Sequence, residues 1–152
     1  MPDPAAIRVI RAPRAEVYRA LLDPEGVERW RAPDGMTAEV HIWEPVPGGS
    51  FRITLRYEDR SRDGKSSPGE DTYHGAFADL VDDAQVVEVV EFETTKPDMA
   101  GSMTVTTTLT DVDEGTLVTV SFEGLPGGVS PEDNATGTSM SLANLADLVE
   151  GS

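Results

Sequence analysis

Residues 130–150 read SPEDNATGTSMSLANLADLVE and form the one long helical pattern in the sequence. Ser130 is a typical N-cap residue, and Pro131 and Asp133 suit the positively polarised first turn of a helix. On a helical wheel Met140, Asn144 and Asp147 face away from the apolar side. Leucine, alanine and valine recur at three- and four-residue spacing, which predicts an amphipathic helix packed through one face: Leu142, Leu145, Ala146 and Val149.

Before this helix, between about residues 37 and 124, the hydrophobic period is two, which is typical of β-strands. Val86 and Val90 share one face of a strand, and Val87 and Val89 share the other. This pattern predicts a central strand that is covered on both sides. A long polar loop is predicted at 58–71. The predicted strands are 7–10, 36–43, 51–57, 73–78, 86–92, 103–110 and 118–122.

Two short helices are predicted near the N-terminus, at 13–22 and 24–30. Pro13 and Pro24 suit first helical positions, and Asp23 is a typical N-cap for the second helix. The order is therefore a strand, two short helices, an antiparallel meander and one long helix. This order indicates a single α+β domain over residues 1–152.

The composition excludes several classes of function. With 28 acidic and 12 basic residues, the net charge of −16 argues against binding to nucleic acids or anionic membranes. The absence of cysteine excludes disulfides and cysteine zinc sites. The sequence shows neither a signal-peptide pattern nor an apolar run of membrane-spanning length. We therefore expect a soluble cytoplasmic protein with a solvated acidic surface.

Three stretches together resemble the START-like (SRPBCC) superfamily, and within it the branch named after the activator of the 90-kDa heat-shock-protein ATPase. They are APRAEVYRALLDPEGVERW at 12–30, GGSFR at 48–52 and GTSMSLANLADL at 137–148. The resemblance covers about residues 7–150. One departure is that Thr138 follows Gly137, where the family usually has tryptophan. This change leaves open whether the space beneath the last helix is open or filled.

The resemblance implies a helix-grip fold, in which a curved antiparallel sheet of about six to seven strands wraps the last helix around an apolar cavity. It also implies binding of a hydrophobic small molecule in some members and interaction with a chaperone in others.

On this fold, aromatic and apolar residues are candidates for the cavity wall, and one side of the last helix is a candidate lid. The same side chains could equally fill an ordinary core. The candidates for the wall are Trp30, Phe51, Tyr57, Tyr73, Phe92 and Met103; those for the lid are Thr138, Ser141, Leu142 and Leu145; Glu88 is a candidate polar group.

Glu88 is the most informative of these candidates because it shares a strand face with Val86 and Val90. A carboxylate there could be a buried anchor with a raised pKa, a general base or a ligand contact. Alternatively, a bulge could turn it to solvent, or Arg52 or Arg56 could pair with it.

No catalytic or metal-binding constellation is recognisable. His41 and His74 are the only histidines, and their positions on predicted strands favour outward or partly buried polar roles. The sequence contains no Gly-x-Ser-x-Gly elbow, no Gly-x-Gly-x-x-Gly motif and no phosphate loop. We therefore expect no catalytic residues, no metal and no cofactor.

The preferred interpretation is a domain, monomeric or homodimeric, that binds a small apolar ligand between the sheet and the last helix. A second interpretation is an interaction module that docks on a chaperone or another protein through its acidic surface. A third is an enzyme of the polyketide-cyclase type, for which the sequence offers only Glu88 and tyrosines as acid–base groups. Fold analogy alone does not establish an activity.

Overall fold

The computed structural model describes residues 4–59 and 69–150. These residues form seven β-strands, three α-helices and one 3₁₀ turn at Pro97–Met99. In chain order the elements are β1 (Ala6–Ile10), α1 (Arg14–Leu22), α2 (Pro24–Trp30), β2 (Met36–Trp43), β3 (Ser50–Tyr57), β4 (Glu70–Val81), β5 (Gln85–Phe92), β6 (Met103–Val112), β7 (Gly115–Glu123) and α3 (Pro131–Glu150).

The strands form one curled antiparallel sheet in the order β1-β7-β6-β5-β4-β3-β2. Strands β2 to β7 follow one another as a meander, and the first strand joins the far side by pairing with β7. Helix α3 packs against β1 and α2. This is the helix-grip arrangement that the family resemblance predicted.

Helix α3 begins as its sequence predicts, since the backbone N–H of Asp133 donates to Ser130 Oγ at 3.3 Å. The predicted apolar face is buried. One detail of the prediction is wrong: Asn144 does not face away, because its side-chain amide donates to the carbonyl of Ala32 at 3.0 Å. A polar side chain at the border of the buried face therefore joins α3 to the chain that follows α2.

The two short helices also match their predicted signals. Asp23 Oδ1 accepts a hydrogen bond from the N–H of Glu25 at 3.2 Å, and Pro24 is the first residue of α2. Pro13, however, lies one position before α1 and is extended, with ψ 151°, so the helix starts at Arg14.

The predicted loop at 58–71 is too long at its C-terminal end, because β4 already begins at Glu70. Asp71 is a strand residue opposite Leu55 and only 2% exposed. Its polar character suggested a loop, whereas cross-strand pairing places its side chain inside. The central part of that predicted loop, residues 60–68, lies outside the described residues.

Two aliphatic strand residues lie at the surface, and one of them, Val89, was predicted to be covered. Val89 is 37% exposed, so the central strand β5 is covered on one face only. A bulge between Val40 and Ile42 breaks the alternation of β2 and leaves Ile42 45% exposed. In both cases a β-branched residue suits the extended backbone without contributing to the core.

The core beneath the sheet contains a chain of aromatic rings. The centroids of Phe51 and Phe77 are 5.1 Å apart, and Trp43 meets Phe77 edge-on at 5.2 Å. Gly75 lies directly over this cluster: a Cβ on it would approach Phe51 Cζ to 2.8 Å and would come still closer to the backbone oxygen of Val89. The absence of a side chain at Gly75 therefore lets the ring of Phe51 pack tightly against β4.

Candidate functional site

A cavity of about 650 Å³ lies between the inner face of the sheet, α3 and the chain that follows α2. Its walls are mainly apolar because the strands turn alternate residues toward it. The apolar lining from the sheet consists of Met36, Leu55, Val90, Phe92, Met103, Val105, Val120 and Phe122.

All but two of the predicted wall and lid residues line this cavity. Phe51 and Leu145 do not: they are 1% and 0% exposed and belong to the packed core. The structure therefore places these two candidates in the core cluster, away from the cavity wall. The candidates that lie on the cavity wall are Trp30, Tyr57, Tyr73, Glu88, Phe92, Met103, Thr138, Ser141 and Leu142.

The most polar feature of the wall is a buried ion pair. Arg31 Nη2 donates to Glu88 Oε2 at 2.6 Å, and the two side chains are 15% and 6% exposed. The guanidinium carbon of Arg31 also lies 5.6 Å from the ring centroid of Trp30 and 5.8 Å from that of Tyr73. At these distances the rings stabilise the cation through their faces.

The charge state of this cluster follows from its surroundings. Burial alone would lower the pKa of Arg31, but the charge of Glu88 and hydrogen bonds to Glu88 and Tyr73 outweigh it and raise that pKa. For Tyr73 burial has the opposite effect and raises the pKa of the phenol, and the charge of Arg31 offsets only part of this rise. Arg31 is therefore a permanent cation, and Tyr73 is a neutral phenol at physiological pH.

The structure shows where the Glu88 side chain lies and which residue it pairs with. No bulge turns it to solvent, since the residue is 5% exposed and stays in register between Phe77 and Val105. Its partner is Arg31, and not Arg52 or Arg56, which the sequence left open as alternative partners. Those two arginines project from the other face of the sheet, as the alternation along β3 already required.

Arg31 was missed because it follows α2 in a stretch that the sequence marks only as a turn. The structure fixes its main chain from α3. Ser141 Oγ donates to the carbonyl of Arg31 at 2.8 Å, and Asn144 holds the next carbonyl, that of Ala32. Ser141 thus lies on the cavity wall and also anchors the segment that carries the cation.

Thr138, which replaces the tryptophan usual in the family, is half-buried and lines the cavity. Its hydroxyl donates to the carbonyl of Asn134 at 2.7 Å, one turn earlier in α3. The hydroxyl is therefore engaged with the helix backbone, and the side chain leaves volume that an indole ring would fill.

A second polar contact on the wall joins Tyr57 and Asp71, whose Oδ2 lies 3.4 Å from the phenolic oxygen. Acidic side chains outnumber basic ones among the described residues around the cavity. The acids are Asp34, Asp71, Glu88 and Asp133, and the bases are Arg31 and Lys96.

Both histidines lie outside this cavity on the opposite sheet face. His41 Nε2 is 2.8 Å from Thr54 Oγ1, and His74 lies 3.2 Å from Glu93 and 3.4 Å from Glu91. Within residues 4–59 and 69–150, no three His, Cys, Asp or Glu side chains converge in a way that could hold a metal ion.

No helix in the described parts of the chain has both the length and the apolar character needed to cross a membrane.

A curled antiparallel sheet that grips a C-terminal helix over an internal space defines the class of START-like, SRPBCC-type domains. The chain belongs to the family of activator of Hsp90 ATPase homolog 1-like (AHSA1) proteins, whose family model matches residues 11–150.

Several solved structures share this fold. Protein CV1439 from Chromobacterium violaceum is 28% identical, with a TM-score of 0.85 over 95% of this chain and 94% of its own. An AHSA1-like protein from Aeromonas hydrophila is 18% identical, with a TM-score of 0.72 over 96% and 90%. DynU16, a protein of the dynemicin biosynthetic locus, is 21% identical, with a TM-score of 0.66 over 95% of this chain and 46% of its own. The comparison with curated proteins gave no match.

Proposed function

We propose that the protein binds a small, uncharged hydrophobic molecule in the cavity between the sheet and α3. The observation that carries the proposal is the combination of apolar walls with one buried ion pair, Arg31–Glu88. Small-molecule sites are concave and mostly apolar, and they hold a few fixed polar groups that orient the ligand. The volume of about 650 Å³ suits a molecule of two or three fused rings or a medium-length chain.

The charges around the cavity favour a neutral ligand. The cation of Arg31 is already paired with Glu88, and Asp71 adds a second buried carboxylate to the wall. An anionic ligand would therefore have to lose its hydration beside acidic groups, which is costly in an apolar site. A hydroxyl or carbonyl group on a neutral molecule can instead form a hydrogen bond with the polar cluster.

A matched pair of probes tests both parts of the proposal: 2-naphthol, which is neutral at pH 7, and 2-naphthoate, which is anionic. The expected result is quenching of Trp30 fluorescence and a raised melting temperature with the naphthol, and at least tenfold weaker binding of the naphthoate. Tighter binding of the naphthoate would contradict the charge argument. If neither 2-naphthol nor a panel of long-chain alcohols binds, the ligand proposal fails.

The site is checked with two substitutions of the same kind. Val105→Phe fills the cavity, whereas Val89→Phe places the same ring on the outer face of the neighbouring strand. Binding should fall at least tenfold in the first variant and stay unchanged in the second. Equal binding by both variants would place the probe elsewhere on the protein.

A second candidate function is docking on a chaperone or another protein with a basic surface. The net charge of −16 and the family's description favour it. Such a complex should weaken sharply when the salt concentration is raised from 50 to 500 mM, because its attraction is screened. Pull-down at both salt concentrations provides the test, and an absence of any partner at low salt would count against this candidate.

A cyclase-type reaction is the weaker alternative. Glu88, the carboxylate expected for acid–base work, is bound to the cation of Arg31 in the ion pair. A fold shared with a protein of a biosynthetic locus supplies no reacting group by itself.

A further inference from the structure

The outer face of the sheet, which points away from the cavity, has two halves with different chemistry. The half on β2, β3 and β4 is charged and contains Arg52, Arg56 and their carboxylate partners. The half on β1, β7, β6 and β5 is uncharged at its centre. We call this second half the uncharged face, and its central residues are Ile7, Val87, Val89, Thr106, Thr108 and Thr119.

Strand pairing brings these central residues together. Ile7 lies opposite Thr119, and Thr119 lies opposite Thr108, so three strands contribute one continuous row. In the next row Thr106 is opposite Val87. Paired residues of an antiparallel sheet project from the same face. The side chains therefore form one surface.

This surface is open to solvent although it is rich in aliphatic groups. Ile7 is 59% exposed, Val9 beside it 40% and Val89 37%. An outward sheet face that only meets water is usually polar and often charged. The chain has charged residues at 26% of its positions, and the described outward residues Asp79, Glu91 and Glu123 border this face without entering its centre.

The edges of the sheet are less accessible than this face. On β2, the backbone N–H of Val40 donates to Glu28 Oε2 at 2.8 Å, and α2 packs alongside the strand. At the other edge α3 packs against β1. The carboxylate of Glu28 and the neighbouring helices at both edges disfavour association by adding strands edge to edge.

We propose that the uncharged face is a self-association surface on which a second copy of the chain packs face to face. Two copies with a net charge of −16 repel each other wherever their acidic surfaces meet. On the uncharged face two copies can meet without removing charges from water. A two-fold dimer needs a surface that complements itself, and a face of aliphatic groups and hydroxyls does so.

A partner of another kind fits this face less well. A basic protein would be attracted to the acidic surfaces and not to the patch without charge. The second copy is therefore the occupant that both the charge of the molecule and the chemistry of the face favour.

The size of the face sets the strength of the association. Four strands about 4.8 Å apart, with outward side chains about 6.8 Å apart along each strand, give a patch on the order of 300–400 Å² per copy. A stable complex buries about 800 Å² per partner. The patch is about half of that area or less, so the proposed dimer is weak.

Sedimentation equilibrium between about 10 μM and 1 mM protein, in 20 and 300 mM NaCl, tests the proposal. The expected result is a reversible monomer–dimer equilibrium that strengthens several-fold at the higher salt concentration, because salt screens the repulsion between the acidic copies. A complex held by charge attraction would show the opposite dependence. A monomer throughout this range, or a dimer that salt weakens, would overturn the proposal.

Two matched substitutions identify the surface. Val89→Lys and Val46→Lys replace an exposed valine with the same cation, but Val46 is 56% exposed in the turn after β2 and lies outside the uncharged face. Val89→Lys should weaken the dimer at least tenfold, although it lowers the net repulsion between copies. Val46→Lys should leave the dimer as strong as in the wild type, or slightly stronger.

Thr106→Lys provides a second variant at the centre of the face, in case Val89→Lys perturbs folding. Circular dichroism and the melting temperature establish that each variant is folded before sedimentation. If both folded variants associate as the wild type does, the uncharged face is not the interface.

Discussion

An arginine–glutamate pair lies on each face of the sheet, and the two pairs differ in their surroundings more than in their geometry. Outside, Arg52 donates to both oxygens of Glu93, at 2.8 and 2.9 Å, and the side chains are 39% and 31% exposed. Inside, Arg31 and Glu88 share a hydrogen bond of 2.6 Å and are almost buried. From geometry alone the bidentate outer pair would be the stronger interaction.

The surroundings reverse this order when the loss of stability on removing one partner is compared. An exposed partner left alone is hydrated by water, so the outer pair contributes little to stability. A buried partner left alone cannot be hydrated, and its charge destabilises the fold. We therefore expect removal of one inner partner to lower the free energy of unfolding strongly. The outer pair should contribute little, and its contribution should depend on pH and salt concentration.

The largest effect should come from Arg31→Met, which keeps much of the side-chain volume and removes the charge. Glu88 would then be a buried carboxylate without its cation, and the free energy of unfolding should fall by about 3–5 kcal/mol. Urea denaturation at pH 7 measures this change. Arg52→Met, the same substitution outside, should shift the urea midpoint far less.

A double substitution shows whether the loss comes from the stranded charge. In Arg31→Met/Glu88→Leu both charges are gone, and the unfolding free energy should return to within about 1–2 kcal/mol of the wild type. A double variant no more stable than Arg31→Met would show that the loss comes from packing and not from charge.

This comparison also shows which information the sequence contained. The alternation of β3 places Arg52 and Arg56 on one face, and the alternation of β5 places Glu88 on the apolar face. Taken together, these two patterns exclude Arg52 and Arg56 as partners of Glu88. The actual partner, Arg31, follows a helix in an irregular stretch, and only the tertiary contact between α3 and that stretch brings it into the cavity.

The fold itself was predictable because its signals are local. The caps Asp23 and Ser130 and the change from helical to strand periodicity define most elements within a few residues. Deviations arise where tertiary structure overrides a local pattern. The bulge beside His41 turns Ile42 outward, and cross-strand pairing draws Asp71 inward.

Helix α3 anchors the inner pair, and loss of this anchor should have a smaller effect than loss of the Arg31 charge. Ser141→Ala removes the donor to the Arg31 carbonyl and should lower the unfolding free energy by about 1–2 kcal/mol. Ser139→Ala, on the exposed side of the same helix, is the matched control and should change it by less than about 0.5 kcal/mol. Urea denaturation of both variants provides the measurement.

Anchoring has a further signature, because Ser141 acts on the segment that carries Arg31. The double variant Ser141→Ala/Arg31→Met should lose less unfolding free energy than the sum of the losses in the two single variants. Neighbours in one network are coupled in this way. Strict additivity would mean that Ser141 stabilises the helix without positioning the cation.

The smallest effect is expected at the outer pair, and it should depend on pH. The hydrogen bond from Arg52 is the main cause that holds the pKa of Glu93 below its ordinary value, with burial opposing it and the charge of Arg52 assisting. A depressed pKa in the folded state stabilises the protein above the unfolded-state pKa of about 4.3. This contribution is lost as the pH falls through the lower, folded pKa.

Glu93→Gln isolates this contribution because glutamine does not titrate. Relative to the wild type, the variant should be less stable at pH 7, and the difference should shrink as the pH falls below about 4. Glu123→Gln, at the exposed end of β7, controls for the loss of one surface charge. In 0.5 M NaCl the difference at pH 7 should also shrink, since the pair is open to solvent and salt screens it. A difference that is constant across pH and salt would show that Glu93 acts through packing, and the contrast between the two faces would then not rest on solvent access.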